Sequence, residues 1–182
     1  MANLKTQDGL VHLYYGPGKG KTTAAMGLGV RALGHGQTVT ILQFMKGAAE
    51  MREQYGEVQL FRDVPGVEVK QFPAGHARTQ ADLSGSERET LMKALETATD
   101  TVASATRDVV VLDELLTLYS LDIADEECLL NIIQSKETSV ELIITGRDAP
   151  SRLVNKSDYV TYMGDIKHPF RDGFGPRSGV EY

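Results

Sequence analysis

The chain has 182 residues, 41% of them apolar, with 25 acidic against 19 basic side chains and a formal charge of −6. That length fits one domain, residues 1–182, and the apolar share fills a packed core, while the acidic balance argues against a general nucleic-acid groove. No apolar run approaches the ~18 residues of a membrane span, MANLKTQDG carries no signal-peptide core and the lone Cys128 closes no internal disulfide, so a cytoplasmic chain with neither nucleic-acid nor membrane partners is expected.

Residues 1–9 are polar and read as a loose lead-in. From Leu10 to Gly36 the sequence LVHLYYGPGKGKTTAAMGLGVRALGHG passes from a β-branched and aromatic run, through a glycine-rich turn, into helical spacing with a Gly-His-Gly stop. This is a strand, a phosphate loop and a helix. Gly16, Gly18 and Gly20 permit close backbone approaches that aim successive N–H groups at phosphate oxygens, and the helix from Thr22 adds the positive end of its dipole. Lys21 supplies a point charge, and the Thr22 hydroxyl is a candidate magnesium ligand. Counted from Gly16, the loop is one residue shorter than G-x-x-x-x-G-K-[ST].

Thr38 to Phe44, TVTILQF, reads as a buried parallel strand. Residues 45–62 are less regular. Lys46, just beyond the strand end where open parallel sheets bind ligands, reads either as a ligand contact or as a solvated loop lysine. Val67 to Phe72 is a further strand, and Pro73 to Asp82 a loop carrying His76 and Arg78. Ser84 or Ser86 caps a long helix whose apolar face is Leu91, Leu95, Ala98, Val102 and Ala105.

Asp108 to Leu112, DVVVL, is the best buried strand, and it runs into Asp113 and Glu114. Two carboxylates at a strand end are the second half of a phosphate-loop site, one for magnesium and one to polarise a nucleophile; the other reading is a pair of helix-capping acids. Ala124 to Gln134 reads as a helix and Val140 to Thr145 as a strand closed by Gly146 and Arg147. Arg147 reaches a phosphate or an interface, or is simply solvated. A short helix at Ser151 to Asn155 and a strand at Tyr159 to Met163 follow. The tail, 164–182, frays or folds over the site as a lid. Alternating strands and helices imply a right-handed α/β fold, a P-loop NTPase-like three-layer sandwich around a mostly parallel central sheet.

Several segments together resemble the cob(I)alamin adenosyltransferases of the phosphate-loop type: GPGKGKTTAAMGLGVRALGHG at 16–36, QFMKG at 43–47, VVLDEL at 110–115, IITGRDAP at 143–150, DIKHPFRDG at 165–173 and the closing GVEY. The Gly-x-Gly-Lys-Gly-Lys-Thr-Thr variant accounts for the short loop. The resemblance implies transfer of the adenosyl group of ATP to a reduced corrinoid, a homodimer, magnesium and an electron donor. It places Gly16, Pro17, Gly18, Lys19, Gly20, Lys21 and Thr22 around the triphosphate, and Thr22 and Glu114 on magnesium with Asp113 beside them. Lys21, Thr22 and Glu114 are the expected catalytic set, and the expected binding set extends to Thr23, Arg31, Lys46, His76 and Arg147. ATP is implied to lie reversed, so that C5′ is the reacting centre. Relatives commonly carry Gly-Phe-Thr-Trp after the third strand to wall off the lower axial face of the corrinoid. This chain has Gly75, His76, Ala77 and Arg78 there, and no tryptophan; Phe72 or Phe61 is a candidate substitute wall. Two further readings remain open: an ATPase or phosphotransferase in which Glu114 orients water or an acceptor hydroxyl, and a carrier that binds ATP or corrinoid without turnover.

Overall fold

The computed structural model describes residues 8–46, 55–74, 77 and 79–182. Six strands form one sheet: β1 (Val11–Tyr15), β2 (Val39–Phe44), β3 (Val67–Phe72), β4 (Val109–Asp113), β5 (Glu141–Gly146) and β6 (Tyr159–Tyr162). The helices between them are α1 (Lys21–Gly34), α2 (Gly56–Arg62), α3 (Gly85–Ala103), α4 (Leu115–Ser120), α5 (Glu126–Ser135) and α6 (Ser151–Lys156), with short 3₁₀ turns at Gln80–Asp82 and Pro169–Asp172. The strand order is β3-β2-β4-β5-β1-β6, and every neighbouring pair is parallel.

Side-chain alternation along the strands makes the layers. Val39, Ile41, Val109, Val111 and Ile143 face one side and pack with Ala25, Met26 and Ala32 of α1 and Phe61 of α2. Leu13, Leu42, Phe44, Val110, Leu112, Leu142 and Ile144 face the other, against the buried sides of α3, α4, α5 and α6. A strand buried on both faces has no polar stripe, which is why β2 and β4 read as continuous apolar runs. Each fully buried aliphatic side chain contributes about 1.5–3 kcal/mol through removal from water.

The long α3 starts at Ser84, whose hydroxyl accepts from the Glu87 backbone N–H while the Glu87 carboxylate accepts from the Ser84 N–H. Two N-terminal donors are thereby satisfied reciprocally. Its apolar face ends at Val102, because Ala105 lies beyond the helix at φ 48° in the turn that leads the chain into β4. Two helices lie where no periodic segment is legible: α2 inside the irregular region after β2, and α4 immediately after Glu114. Each is one or two turns long, too short for periodicity to show. Packing of Leu115, Leu116 and Leu118, all 0% exposed, holds α4.

Glycine is obligatory at the end of β5. Gly146 has φ 154°, and a Cβ there would press into the side chain of Leu116 and lie 3.0 Å from its Cα. Gly27, by contrast, sits on an exposed turn of α1 with open space where a Cβ would go. Gly146→Ala is expected to destabilise the chain by about 1–3 kcal/mol and Gly27→Ala to stabilise it by about 0.5–1 kcal/mol, read as opposite shifts of the urea midpoint.

Candidate functional site

With every strand parallel, the loops after β1, β2, β4 and β5 emerge at one end of the sheet, the end where such folds bind ligands. The loop after β1 is pressed onto the chain that follows β5 and β6. The Gly16 N–H donates to the carbonyls of Gly146 (3.2 Å) and Arg147 (2.9 Å), and the Gly18 N–H donates to Met163 (2.8 Å). A Cβ at Gly16 or Gly18 would lie 2.5 Å from the carbonyl oxygen of Met163 or Gly164 respectively, so larger residues would push the loop off its floor.

Helix α1 opens at Lys21, after Gly20, with no side-chain cap and no acidic residue in its first turn. Its first N–H groups are thus available to an anion. Lys21 curls back into the loop: its ammonium donates to the carbonyls of Gly16 (2.8 Å) and Gly18 (2.7 Å) and is only 7% exposed. An ammonium has three N–H donors, so one is left for a ligand oxygen. Burial lowers the Lys21 pKa from the usual lysine value; Arg147 lowers it further, and Glu114 and Asp113 partly oppose the shift.

Asp113, at the end of β4, has no exposed surface. Its Oδ1 accepts from the hydroxyls of Thr22 and Thr145, both at 2.8 Å, and its Oδ2 accepts from Gln43 Nε2 at 3.2 Å and Lys46 Nζ at 2.7 Å. Gln43 is oriented in turn by Gln71, whose Nε2 donates to Gln43 Oε1 at 2.9 Å. Burial works against the Lys46 ammonium, yet the charge and hydrogen bond of Asp113, with help from Glu114 and Glu57, raise its pKa above the usual lysine value.

Glu114 adopts a left-handed backbone, φ 62°, uncommon outside glycine, as the residue before α4. Its N–H donates to Thr145 Oγ1 at 2.8 Å and its Oε2 accepts from Thr117 at 2.7 Å. Thr145 therefore sits between the two carboxylate residues, accepting from one backbone and donating to the other side chain.

These groups surround a cavity of about 500 Å³. Pro17, Lys19, Gly20, Lys21, Thr22, Thr23, Lys46, Glu114 and Arg147 line it, with Gly16 and Gly18 in the loop and Asp113 buried behind Thr22. Met26, Tyr55 and Glu57 contribute on one side, and His168 with Gly179 to Tyr182 of the tail on the other. The tail thus folds over the loop: the Lys19 ammonium donates to the Val180 carbonyl at 3.0 Å. Arg177 holds the Glu181 carboxyl down to about 2 by hydrogen bonds. Arg31 is elsewhere, two to three turns along α1, lining a second concavity with His12, Tyr14 and Glu141. His76 and Arg78 lie outside the described residues. Gln43, Thr145 and Tyr55 are not singled out as site residues by the sequence; Gln43 and Thr145 lie inside the segments QFMKG and IITGRDAP, at strand ends beside Phe44 and Gly146, and the tail reads as either fraying or folding over the site.

Among the described residues no cluster of three or more His, Cys, Asp or Glu side chains makes a self-contained metal cage. The oxygens of Thr22 and Glu114, with Asp113 behind Thr22, suit a hard cation that takes one or two protein ligands and completes its shell with phosphates and water, as magnesium does. The residues fit the group.

A parallel sheet, a glycine loop leading into an uncapped helix, a buried lysine and a strand-end Asp-Glu pair give the fold the arrangement of a P-loop NTPase-like α/β protein. Within that class, the family described as ATP:corrinoid adenosyltransferase BtuR/CobO/CobP matches residues 7–182. The chain belongs to that family and is an adenosyltransferase. It is 32% identical to a corrinoid adenosyltransferase of Pseudomonas aeruginosa over 188 residues, spanning all of this chain and 88% of the relative. It is also 32% identical to one from Sinorhizobium sp, covering 84% of that protein, and 30% identical to one from Escherichia coli strain K12, covering 90%.

The loop geometry yields one direct expectation. Lys21→Ala removes a charged donor, so ATP affinity should fall about 10–100-fold by calorimetry, with the circular dichroism of the folded chain unchanged.

Proposed function

We propose that the cavity binds ATP with its triphosphate in the loop at Gly16 to Thr22 and delivers C5′ of the adenosyl group to the cobalt of a reduced corrinoid. The observation that carries this is the buried Lys21 ammonium, seated within the loop and backed by the open first turn of α1. Cobalt(I) is the nucleophile. The cobalt–carbon bond forms from its electron pair, the C5′–O bond breaks, and that bond's electrons leave with triphosphate. The protein then needs no nucleophilic Ser, Cys or His. Its tasks are alignment of two reactants and stabilisation of charge on the leaving group.

Lys21, the loop amides, Lys19 and Arg147 supply the second task from fixed positions around the cavity. Thr22 and Glu114 would hold magnesium, which when bound neutralises part of the triphosphate charge. Asp113 orients Thr22, its Oδ1 already accepting that hydroxyl. For the corrinoid, Phe72 at the ligand end of β3, stacked on Phe44 with ring centroids 5.6 Å apart, is the better candidate for an axial wall. Phe61 is 4% exposed and packed among α1-side residues of the core.

The same reading takes in a cytoplasmic single-domain homodimer supplied by an electron donor. Support for an assembly comes from β6, an edge strand whose Tyr159 and Tyr162 are exposed, followed by exposed Ile166, Phe170 and Phe174. No helix among the described residues is long and apolar enough to cross a membrane.

With ATP, magnesium and chemically reduced corrinoid, the optical spectrum should change to that of an alkylated cobalt while triphosphate accumulates in equal amount. Glu114→Gln should slow this about 10²–10³-fold, the usual loss when one charge-stabilising group of a site is removed. Release of ADP and phosphate without corrinoid would overturn the assignment in favour of hydrolysis.

A further inference from the structure

Asp113 presents an unusual balance. A carboxylate offers about four lone-pair sites, and those of Asp113 are taken by Thr22, Thr145, Gln43 and Lys46. The first three of these donors are neutral. Only Lys46 brings charge, at 2.7 Å, to a carboxylate with no exposed surface. The same ammonium stands 3.3 Å from Thr22 Oγ1, the oxygen expected to face the metal, and 5.4 Å from the centre of the Tyr55 ring. Its own side chain is 15% exposed, so solvent screens it weakly.

We propose that Lys46 is a built-in counter-ion that makes divalent-cation binding conditional on nucleotide. A bare divalent cation approaching Thr22 and Glu114 meets an aspartate whose charge is already neutralised, and meets the Lys46 ammonium beside the threonine oxygen. Lys21 and Arg147 add like charge around the same cavity; Glu114 and Glu57 oppose them. One carboxylate and one hydroxyl would have to offset both the hydration that a divalent cation gives up reluctantly and the summed repulsion of Lys46, Lys21 and Arg147. A triphosphate changes the sign of the local field, because its own negative charge pairs with Lys46 and Lys21 while carrying the cation in. Metal and nucleotide therefore enter together, and an empty site does not hold magnesium that would block the loop. Lys46 is a positioning residue in this account, acting on the metal through Asp113 and Thr22.

This inference rests on the loop being the triphosphate site, and the experiment separates the two. Manganese serves as the probe: without ATP its free concentration is read by electron paramagnetic resonance, and with ATP the manganese retained by the protein is read by equilibrium dialysis against the same manganese–ATP solution. Wild-type protein should take up manganese only with ATP present; no uptake even then would sink the triphosphate reading itself. Lys46→Gln keeps a donor for Asp113 and so protects the fold, but removes the charge. Without nucleotide it should bind manganese at least tenfold more tightly than wild type. Lys46→Arg, which keeps the charge, should behave as wild type. Adding Asp113→Asn to Lys46→Gln should abolish the gain. Manganese affinity unchanged by Lys46→Gln, or a gain that survives Asp113→Asn, would overturn the proposal.

Discussion

A buried carboxylate has to be compensated, and Asp113 is where this fold concentrates that requirement. Removing such a charge from water is costly unless hydrogen bonds and an opposite charge replace the lost hydration. The replacements come from four different elements: Thr22 from α1, Gln43 from β2, Lys46 from the segment after β2, and Thr145 from β5. Satisfying one side chain therefore fixes the relative positions of three strand ends and the start of the helix that follows the phosphate loop. The β4 position of Asp113, with β2 on one side and β5 on the other, makes this possible.

The glycine loop after β1 depends on the same end of the sheet from the opposite direction. Its floor is the carbonyl edge of residues after β5 and β6, reached through N–H donors of Gly16 and Gly18 at positions with no room for a Cβ. Lys21 then closes the loop on itself through its carbonyls. A loop one residue shorter than the common pattern gains its rigidity from this outside support, and the tail adds a further clasp through Lys19 and Val180.

The sheet, its parallel sense and the glycine loop between β1 and α1 were legible in the sequence because each rests on a local signal: continuous apolar runs in β2 and β4, helical spacing in α3, glycines beside Lys21 and Thr22. Short elements were not. α2 and α4 span too few turns for a period to appear, and α4 exists because Leu116 and Leu118 find a buried surface supplied by distant strands. Lys46 could be read from sequence as either solvated or functional; only the pairing of β2 with β4 brings it to Asp113. Arg31 shows the converse. It shares a helix with Lys21, but two to three turns of α1 carry it to a different concavity, so adjacency in a motif-bearing segment did not place it at the site. Gln43 and Thr145 fell inside segments that carry the resemblance, yet their role was hidden because a polar residue at the end of an apolar strand does not show which side chain it will meet.

The two adjacent acids, Asp113 and Glu114, illustrate how one backbone feature separates chemical roles. An extended strand would send successive side chains to opposite faces of the sheet, leaving only one of them near the cavity. Glu114 instead leaves the strand through a left-handed turn, held by its N–H on Thr145 and its carboxylate on Thr117, and lines the cavity directly. Such a conformation costs about 1–3 kcal/mol and persists only where surrounding contacts over-determine it. The cost is met by Thr145, which is also a donor to Asp113. One threonine thus couples the carboxylate that is saturated and buried to the one that lines the cavity. The division follows from hydrogen-bond capacity: the lone pairs of Asp113 are engaged by four donors, so it acts on the site by aiming Thr22 and through its charge, whereas Glu114 retains an oxygen that has no donor among the described residues. The order of the two acids in the chain is therefore not interchangeable, since exchanging their side-chain lengths would bring a longer carboxylate into the tightly packed position beside Gln43 and withdraw the shorter one from the cavity.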